Sequence, residues 1–407
     1  LIDDFYPASG GIGRSVETQL EELTALGHEV TLIAPDRHLQ KPRLGRIIEC
    51  PTVYVEGLPA HLSVLHWSSK RARLISDIAR FDVVHTQTER GALILGAKIA
   101  RLQGVPHLHT FHANIAGTHQ TVHGSVFGTL GYQALILPAL RRVRGGMATS
   151  ATLPAAIRET GGLAARTDWM SFATIAQMVD GYAVPSPFMG ELIDEAAGRH
   201  LNGYVVPTGY NRRMKRAIDE APRERADDAV RFLSVGRLAK EKRLDVLIKA
   251  FRRANIPNGE LVIVGDGDQR DQLRALAKGC DAIDFRWHLA STSALAYEFR
   301  NADAMVLSSY RFDSQALVIA EAVSAGLPVM YCDDRLTVGL SPESSLLTGP
   351  DVASMTTGLR SLMDPRVRTS MAAATAGLMA DLAPERTAQR YVAAYTDLIE
   401  RKAGRRG

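Results

Sequence analysis

The turn Ser9-Gly10-Gly11-Ile12-Gly13-Arg14 stands between a strand-like run and a helical one, and the chemistry it suits is anion binding. Glycines at Gly10, Gly11 and Gly13 let a ligand come close to the backbone, and the helix N-terminus behind them offers N–H groups to a phosphate. Several nucleotide-binding classes share this pattern, and a glycine turn that merely packs strand on helix is the bland alternative. A second cluster, Gly236-Arg237-Leu238 followed by Glu241-Lys242-Arg243, comes directly after the predicted strand Arg231–Val235. Ligands of parallel-sheet folds bind at the carboxyl edge of the strands, so Arg237 and Lys242 suit a diphosphate, one as a planar fork and the other as a point charge. By type alone, such residues are more often plain surface charge.

A third element is Tyr310-Arg311-Phe312-Asp313-Ser314-Gln315-Ala316-Leu317, with Glu321 eight residues after Asp313. A helix over Gln315–Ala325 would aim the backbone N–H groups of Gln315, Ala316 and Leu317 at a phosphate. Glu321 would then lie on its second turn, where a carboxylate can accept hydrogen bonds from two ribose hydroxyls. Gly326-Leu327-Pro328 ends that helix and launches the next strand.

Two further groups invite a metal reading. The histidines His107, His109, His112, His119 and His123 crowd one loop region, but their spacing fits no standard zinc pattern. Asp266-Gly267-Asp268 imitates a D-x-D metal motif, yet it follows the strand Leu261–Val264 and opens a helix at Gln269, so it reads as a loop. No metal and no cofactor is expected.

The elements that must position these residues alternate regularly. Ser15–Leu26 carries apolar residues at Val16, Leu20, Leu23 and Leu26, a helical stripe closed by Gly27, and His28–Pro35 reads as a strand. Phe81–His85, a helix over Gly91–Leu102 and Val105–Thr110 repeat the rhythm, which argues for parallel sheet with crossover helices. Between about 119 and 180 the rhythm loosens. It returns at Gly181–Ser186 and Tyr204–Gly209. The charged stretch Asn211–Asp228 is the expected interdomain linker. A second series follows, with strands Arg231–Val235, Leu261–Val264, Ala304–Ser308 and Pro328–Cys332. The economical reading is α/β, with two Rossmann-like domains in tandem.

Bulk properties agree with that reading. A length of 407 residues suits two domains of about 200 each. A net charge of +4 is mild for this length, so nucleic acid is not implied as a partner. Cys50, Cys280 and Cys332 are scattered, as expected of free thiols in a reducing cytoplasm. No apolar run reaches the ~18 residues of a membrane span. Leu1-Ile2-Asp3-Asp4 looks like the end of a strand, so the expectation is that this strand begins before residue 1.

Taken together, the glycine loop, G-R-L-x-x-E-K-x-x-D from Gly236, V-G-D-G from Val264, and an acidic-x7-Glu element before A-G-L-P-V resemble the retaining GT-B glycosyltransferases of family 4. Val206-Pro207-Thr208-Gly209 and Val184-Pro185-Ser186 sit where that family has similar strings. The resemblance spans most of the chain. It implies a GT-B fold of two facing Rossmann-like domains with a cleft between them: residues 1–208 on the acceptor side, 209–385 holding the nucleotide sugar, and a helix in 386–407 packing back on the first domain. It implies that Arg237 and Lys242 bind diphosphate, that Glu321 binds ribose, and that Asp313 and His112 contact the donor sugar. The implied reaction is metal-independent hexose transfer from a UDP- or GDP-sugar to an acceptor hydroxyl, with retention and without a dedicated general base.

Three departures stand out. Asp313 is one methylene shorter than the family's usual glutamate, Ala316 replaces a common glycine, and Trp287 stands where glycine is usual near the base pocket.

The acceptor is unknown. Gly131–Leu140, an apolar stretch running into Arg141-Arg142-Val143-Arg144, suits either a membrane interface or a buried helix with a solvated end, and the closest-looking relatives include glycolipid synthases. A lipid acceptor at the inner face of the membrane is therefore the expectation. Two rivals stay open. An NADP-dependent short-chain oxidoreductase would explain the first glycine loop, but no tyrosine has a lysine four residues on. A catalytically silent nucleotide-binding protein on the same fold is the other.

Overall fold

The structure, a computed structural model, describes residues 1–4, 11–36, 45–53, 63–114, 117, 126–145, 162–224, 229–287, 289 and 291–404. Contacts divide the chain into two compact units, residues 1–208 with 385–407 and residues 209–384.

In the first unit, α1 (Gly11–Ala25) leads to the parallel pair β1 (Thr31–Pro35) and β2 (Arg46–Cys50). After α2 (Ser69–Ile78), strands β3 (Val84–Thr86), β4 (His107–Thr110), β5 (Gly181–Val184) and β6 (Tyr204–Val205) form a parallel sheet in that order. Residues 1–3 lie between the two groups: Ile2 N–H donates to Ile33 at 3.1 Å, and Gln87 N–H donates to Leu1 at 2.9 Å. Between the strands run α3 (Gly91–Gln103), α4 (Leu137–Arg144), α5 (Gly162–Met178) and α6 (Pro187–Ala197). Helix α3 is almost wholly apolar and buried, and Gly104 in the left-handed region ends it.

The second unit starts with α7 (Arg212–Glu220) and a six-stranded parallel sheet. Its strands are β7 (Val230–Val235), β8 (Gly259–Val264), β9 (Ile283–Arg286), β10 (Ala304–Leu307), β11 (Val329–Tyr331) and β12 (Ser345–Leu347). Their spatial order is β9-β8-β7-β10-β11-β12. Strand β10, apolar and buried throughout, fits a sheet covered on both faces. Helices α8 (Leu244–Ala254), α9 (Arg270–Ala277), α10 (Thr292–Arg300), α11 (Leu317–Ser324), α12 (Val352–Ser361) and α13 (Pro365–Thr375) connect or follow them. Leu244, Leu247, Ile248 and Phe251 of α8 bury one face against Phe232 and Ile263. Each such side chain contributes roughly 1.5–3 kcal/mol when fully buried. Helix α14 (Pro384–Gly404) follows, and its Tyr391 and Leu398 join the first unit's core with Leu108 and Ala183.

Two expectations need correction. The charged stretch from Asn211 is not a bare linker: Asn211 caps α7 through its side chain, Met214 and Ile218 are buried, and the helix packs on α10. Met214 and Ile218 stand four residues apart and make one narrow apolar stripe that the surrounding charges mask in the sequence. The helix expected over Gln315–Ala325 runs only from Leu317 to Ser324, because Ala316 is extended and serves as its cap. Among the described residues no helix is long and apolar enough to cross a membrane.

Candidate functional site

The strand order of the second unit reverses direction between β7 and β10. Open α/β sheets bind ligands outside the carboxyl ends of the two strands flanking such a reversal. Here those ends deliver Gly236 and Arg237 on one side and Ser308, Ser309 and Asp313 on the other. Lys242 sits in a short 3-10 turn after β7, and its ammonium donates to Asp313 Oδ1 at 2.6 Å. Ser309 Oγ donates to the other carboxylate oxygen, and Ser308 Oγ donates to the Lys242 carbonyl at 2.7 Å. The Lys242 ammonium also lies 5.5 Å from the centre of the Phe312 ring. Two loops distant in sequence are thus laced into one cation-bearing crevice.

Close backbone approach explains the glycines here. Gly265 has φ +147, and a Cβ on it would fall 1.9 Å from the Gly236 carbonyl oxygen. A Cβ on Gly267 would fall 2.4 Å from the Leu238 carbonyl oxygen. Leu238 N–H donates to Asp266 at 2.9 Å, and Gln269 N–H donates to Leu238 at 2.9 Å. The V-G-D-G segment therefore backs the Gly236–Leu238 loop and holds it over the sheet edge. Asp266 accepts from Gly267 N–H at 2.9 Å and pairs with Arg270 at 3.8 Å, both as a loop residue would. Among the described residues no group of three or more His, Cys, Asp or Glu is placed to hold a metal ion.

The other expected residues of this unit fall at varied places. Arg237 is exposed and turned to Glu241, so its guanidinium is not part of the Lys242–Asp313 pair. Glu321 is buried on α11, Ala316 is buried as its cap, and Gln315 and Leu317 are half-buried beside it. Trp287 stacks on Phe285 with ring centres 4.6 Å apart and planes 7° apart, while the Arg270 guanidinium lies 4.4 Å from the centre of the indole ring. The indole is thereby fixed beside the end of β9.

In the first unit, Gly11 is the exposed first residue of α1 and Gly13 is buried in its first turn, whereas Gly10 lies outside the described residues, as do His119 and His123. His112 follows β4 and is bonded through Nε2 to the Gln87 side-chain oxygen at 2.5 Å. Burial pulls its imidazole down to about 4, so the ring is neutral at pH 7. Burial likewise lowers His109 to about 3 and lifts the Glu89 carboxyl to about 8. His109 Nε2 and Glu89 Oε1, 3.9 Å apart, are therefore a neutral pair and not an ion pair. His107 and His109 both bond Thr86 Oγ1 at 2.8 Å, which accounts for them structurally.

Gln87 and Glu89 were not singled out by sequence reasoning. The signal was present, since both follow strand β3 at the carboxyl edge, where the same logic had selected Arg237 and Asp313. The apolar stretch from Gly131 divides: Ile136, Leu137, Leu140 and Val143 are buried, whereas Leu135, Arg141 and Arg142 are exposed. Phe127 and Leu130, on the short helix Val126–Gly131, and Leu163, opening α5, are exposed as well.

Each unit is thus built on parallel sheet with crossover helices, and the second carries a lysine–aspartate pair at its switch point. The chain belongs to glycosyltransferase family 4: that family's model matches residues 9–213, and the model for glycosyl transferases group 1 matches residues 215–335. It is 24% identical over 350 residues to an alpha-monoglucosyldiacylglycerol synthase of Streptococcus pneumoniae, covering 81% of this chain and 69% of that protein. It is also 24% identical over 341 residues to a GDP-mannose-dependent alpha-mannosyltransferase of Mycobacterium tuberculosis, covering 82% of this chain and 78% of that one. Among solved structures, HepE of Anabaena in complex with UDP and glucose superposes with a TM-score of 0.65 at 13% identity, covering 97% of this chain and 98% of its own. Family membership supersedes the oxidoreductase alternative.

Proposed function

We propose that this glycosyltransferase moves a hexose from a nucleotide-diphosphate sugar to an acceptor hydroxyl, with retention at the anomeric carbon and without a metal. The observation that carries this reading is the Lys242–Asp313 pair at the switch point of the second unit. Lys242, with Arg237 turning from Glu241, supplies positive charge for the diphosphate, and the amides opening α11 supply N–H donors. Charge that develops on the leaving diphosphate is met by these preorganised groups. Asp313, aligned by Lys242 and Ser309, is the candidate contact to sugar hydroxyls, and Glu321 the candidate contact to ribose. His112 and the Gly11–Gly13 turn keep, as proposals, the roles that the resemblance implies. UDP in the HepE structure and GDP-mannose in the name of the mycobacterial relative mark the two bases to test first.

A lipid acceptor is the second part of the proposal. It is supported by a diacylglycerol-glucosylating relative and by exposed Phe127, Leu130, Leu135 and Leu163 standing with Arg141 and Arg142 on adjoining elements. Apolar side chains with a basic fringe suit the interface of an anionic membrane. On this reading the protein works at the inner face of that membrane.

The test is calorimetric titration of the protein with UDP, GDP, ADP and NADP in the absence of added metal. Binding of one nucleoside diphosphate that is weakened in both Lys242→Ala and Glu321→Ala supports the donor site. A folded protein that binds none of them, or only NADP, overturns it and favours a silent member of the family.

A further inference from the structure

The loop that carries Asp313 is held from two sides, and the Lys242 pair accounts for only one of them. The loop leaves β10 after Leu307, beside the end of β11. The two residues that follow β11 are Cys332 and Asp333, 3% and 1% exposed. The Cys332 thiol faces the start of the loop, donating to the carbonyls of Ser308 and Ser309 at 3.5 and 3.3 Å. Burial pushes that thiol up to about 12, so it keeps its proton and remains a donor. Asp333 takes the middle of the loop: its Oδ2 accepts from the Arg311 N–H at 2.6 Å.

Arg311 has φ +56, in the left-handed region that residues other than glycine seldom adopt. Such a conformation persists only where the surroundings impose it. The Asp333 bond is made at this residue, and two residues on stands Asp313, whose carboxylate accepts from Ser309 Oγ and from Lys242. Asp333 is itself fixed by Arg335, which donates to it from the backbone N–H at 3.2 Å, from Nε at 3.1 Å and from Nη2 at 2.9 Å. A buried carboxylate so supplied with donors stays charged and does not swing.

From this geometry we infer that Asp333 is a positioning residue: it holds Arg311 in the left-handed turn that presents Asp313 to Lys242 and to the donor sugar. The sugar contact rests on the glycosyl-transfer reading. The clamp on the loop does not.

Hydrogen–deuterium exchange tests the clamp. In Asp333→Ala the amides of Ser308–Asp313 should exchange about tenfold faster, the scale of one lost hydrogen bond, while those of β7 and β8 keep their rates. Asp333→Asn keeps an acceptor oxygen for the Arg311 N–H and should stay within about threefold of wild type. Release of UDP from UDP-glucose, or of GDP from GDP-mannose, gives the second readout. There Asp333→Ala should lower kcat about 10–100-fold, the scale of misplacing a contacting group, with donor KM changed less than about threefold, and Asp333→Asn should recover most of the loss. Should Asp333→Ala fail to fold, Asp333→Ala with Arg335→Ala, which also removes the cation deprived of its carboxylate, carries the same expectations. Unchanged exchange at Ser308–Asp313 in a folded variant overturns the proposal, as does exchange raised equally throughout the unit. So does a kcat equal to wild type. Should wild type release neither nucleotide while the loop loosens as stated, it is the transfer reading that fails.

Discussion

Lys242 and Asp313 come from segments 71 residues apart and meet through a 2.6 Å hydrogen bond at the point where the second unit's sheet reverses its order. The same ammonium is needed for an incoming diphosphate, so Asp313 both aligns Lys242 and competes for it. Lys242→Ala is expected to weaken nucleoside diphosphate binding about 10–100-fold, the scale of one or two charge-assisted hydrogen bonds. Asp313→Asn should leave that affinity unchanged or tighter while cutting turnover by about 100-fold. Isothermal titration and steady-state kinetics separate the two, and weaker binding in Asp313→Asn would contradict the competition.

Gly265 makes a different claim, about backbone. Its φ of +147 and the 1.9 Å approach to Gly236 leave no room for a methyl group. Gly265→Ala is expected to cost the second unit about 2–4 kcal/mol, in the upper range for single substitutions. Gly326 offers a control, since it has φ +72 but nothing within 4 Å of a Cβ. Gly326→Ala should cost only about 1–2 kcal/mol, the left-handed penalty alone. Equal shifts of the two in urea unfolding would remove the steric argument.

The Glu89 carboxyl titrates near 8 in the fold, against an ordinary value of 4.5. Between those values the folded state holds more protons than the unfolded one, so this group's contribution to stability falls as pH rises from about 4.5 to 8. Glu89→Gln should therefore raise the unfolding temperature at pH 8 by several degrees, and much less at pH 5. The histidines act in the opposite sense. His112, lowered to about 4, and His109, lowered to about 3, favour the fold above pH 6.5, and that contribution is lost as pH falls through 4 and 3. Scanning calorimetry from pH 4 to pH 9 checks both trends, and a pH-independent benefit of Glu89→Gln would argue for simple repacking.

Membrane docking is testable without knowing the acceptor. Sedimentation with vesicles of phosphatidylglycerol at low salt should capture the protein, and about 0.5 M salt should release most of it. Replacing Leu130 and Leu135 by Ser, or Arg141 and Arg142 by Glu, should lower capture about tenfold or more. Those side chains are exposed, so stability should change by no more than about 0.5 kcal/mol. Retained binding in both variants would place the docking surface elsewhere or nowhere.

Much of the fold was readable before any coordinates. The predicted strand Leu261–Val264 lies within β8 at Gly259–Val264, and the stripe Ser15–Leu26 overlaps α1 at Gly11–Ala25. Local apolar period carries that information. The two misreadings share a cause: Met214 and Ile218 are too few to outweigh the arginines around them, and Ala316 precedes a helix directly but has an extended backbone. In the site, Lys242 and Asp313 could be named from their positions after strands, but their mutual bond could not. Gln87 was invisible as a partner of His112 because the two are joined only by folding, and no spacing in sequence announces them.

The last helix, α14, belongs to the first unit, where Tyr395 reaches His85 and Lys402 donates to the Val105 carbonyl at 2.6 Å. During synthesis this has an ordering consequence. Residues 209–384 emerge as a complete set while the unit that precedes them still lacks a piece of its core. The earlier-made half must wait, with Leu108 and Ala183 uncovered, until α14 has left the ribosome. Shortening the chain by that helix would then harm the half that was translated first, and the half translated just before the cut would keep its own stability.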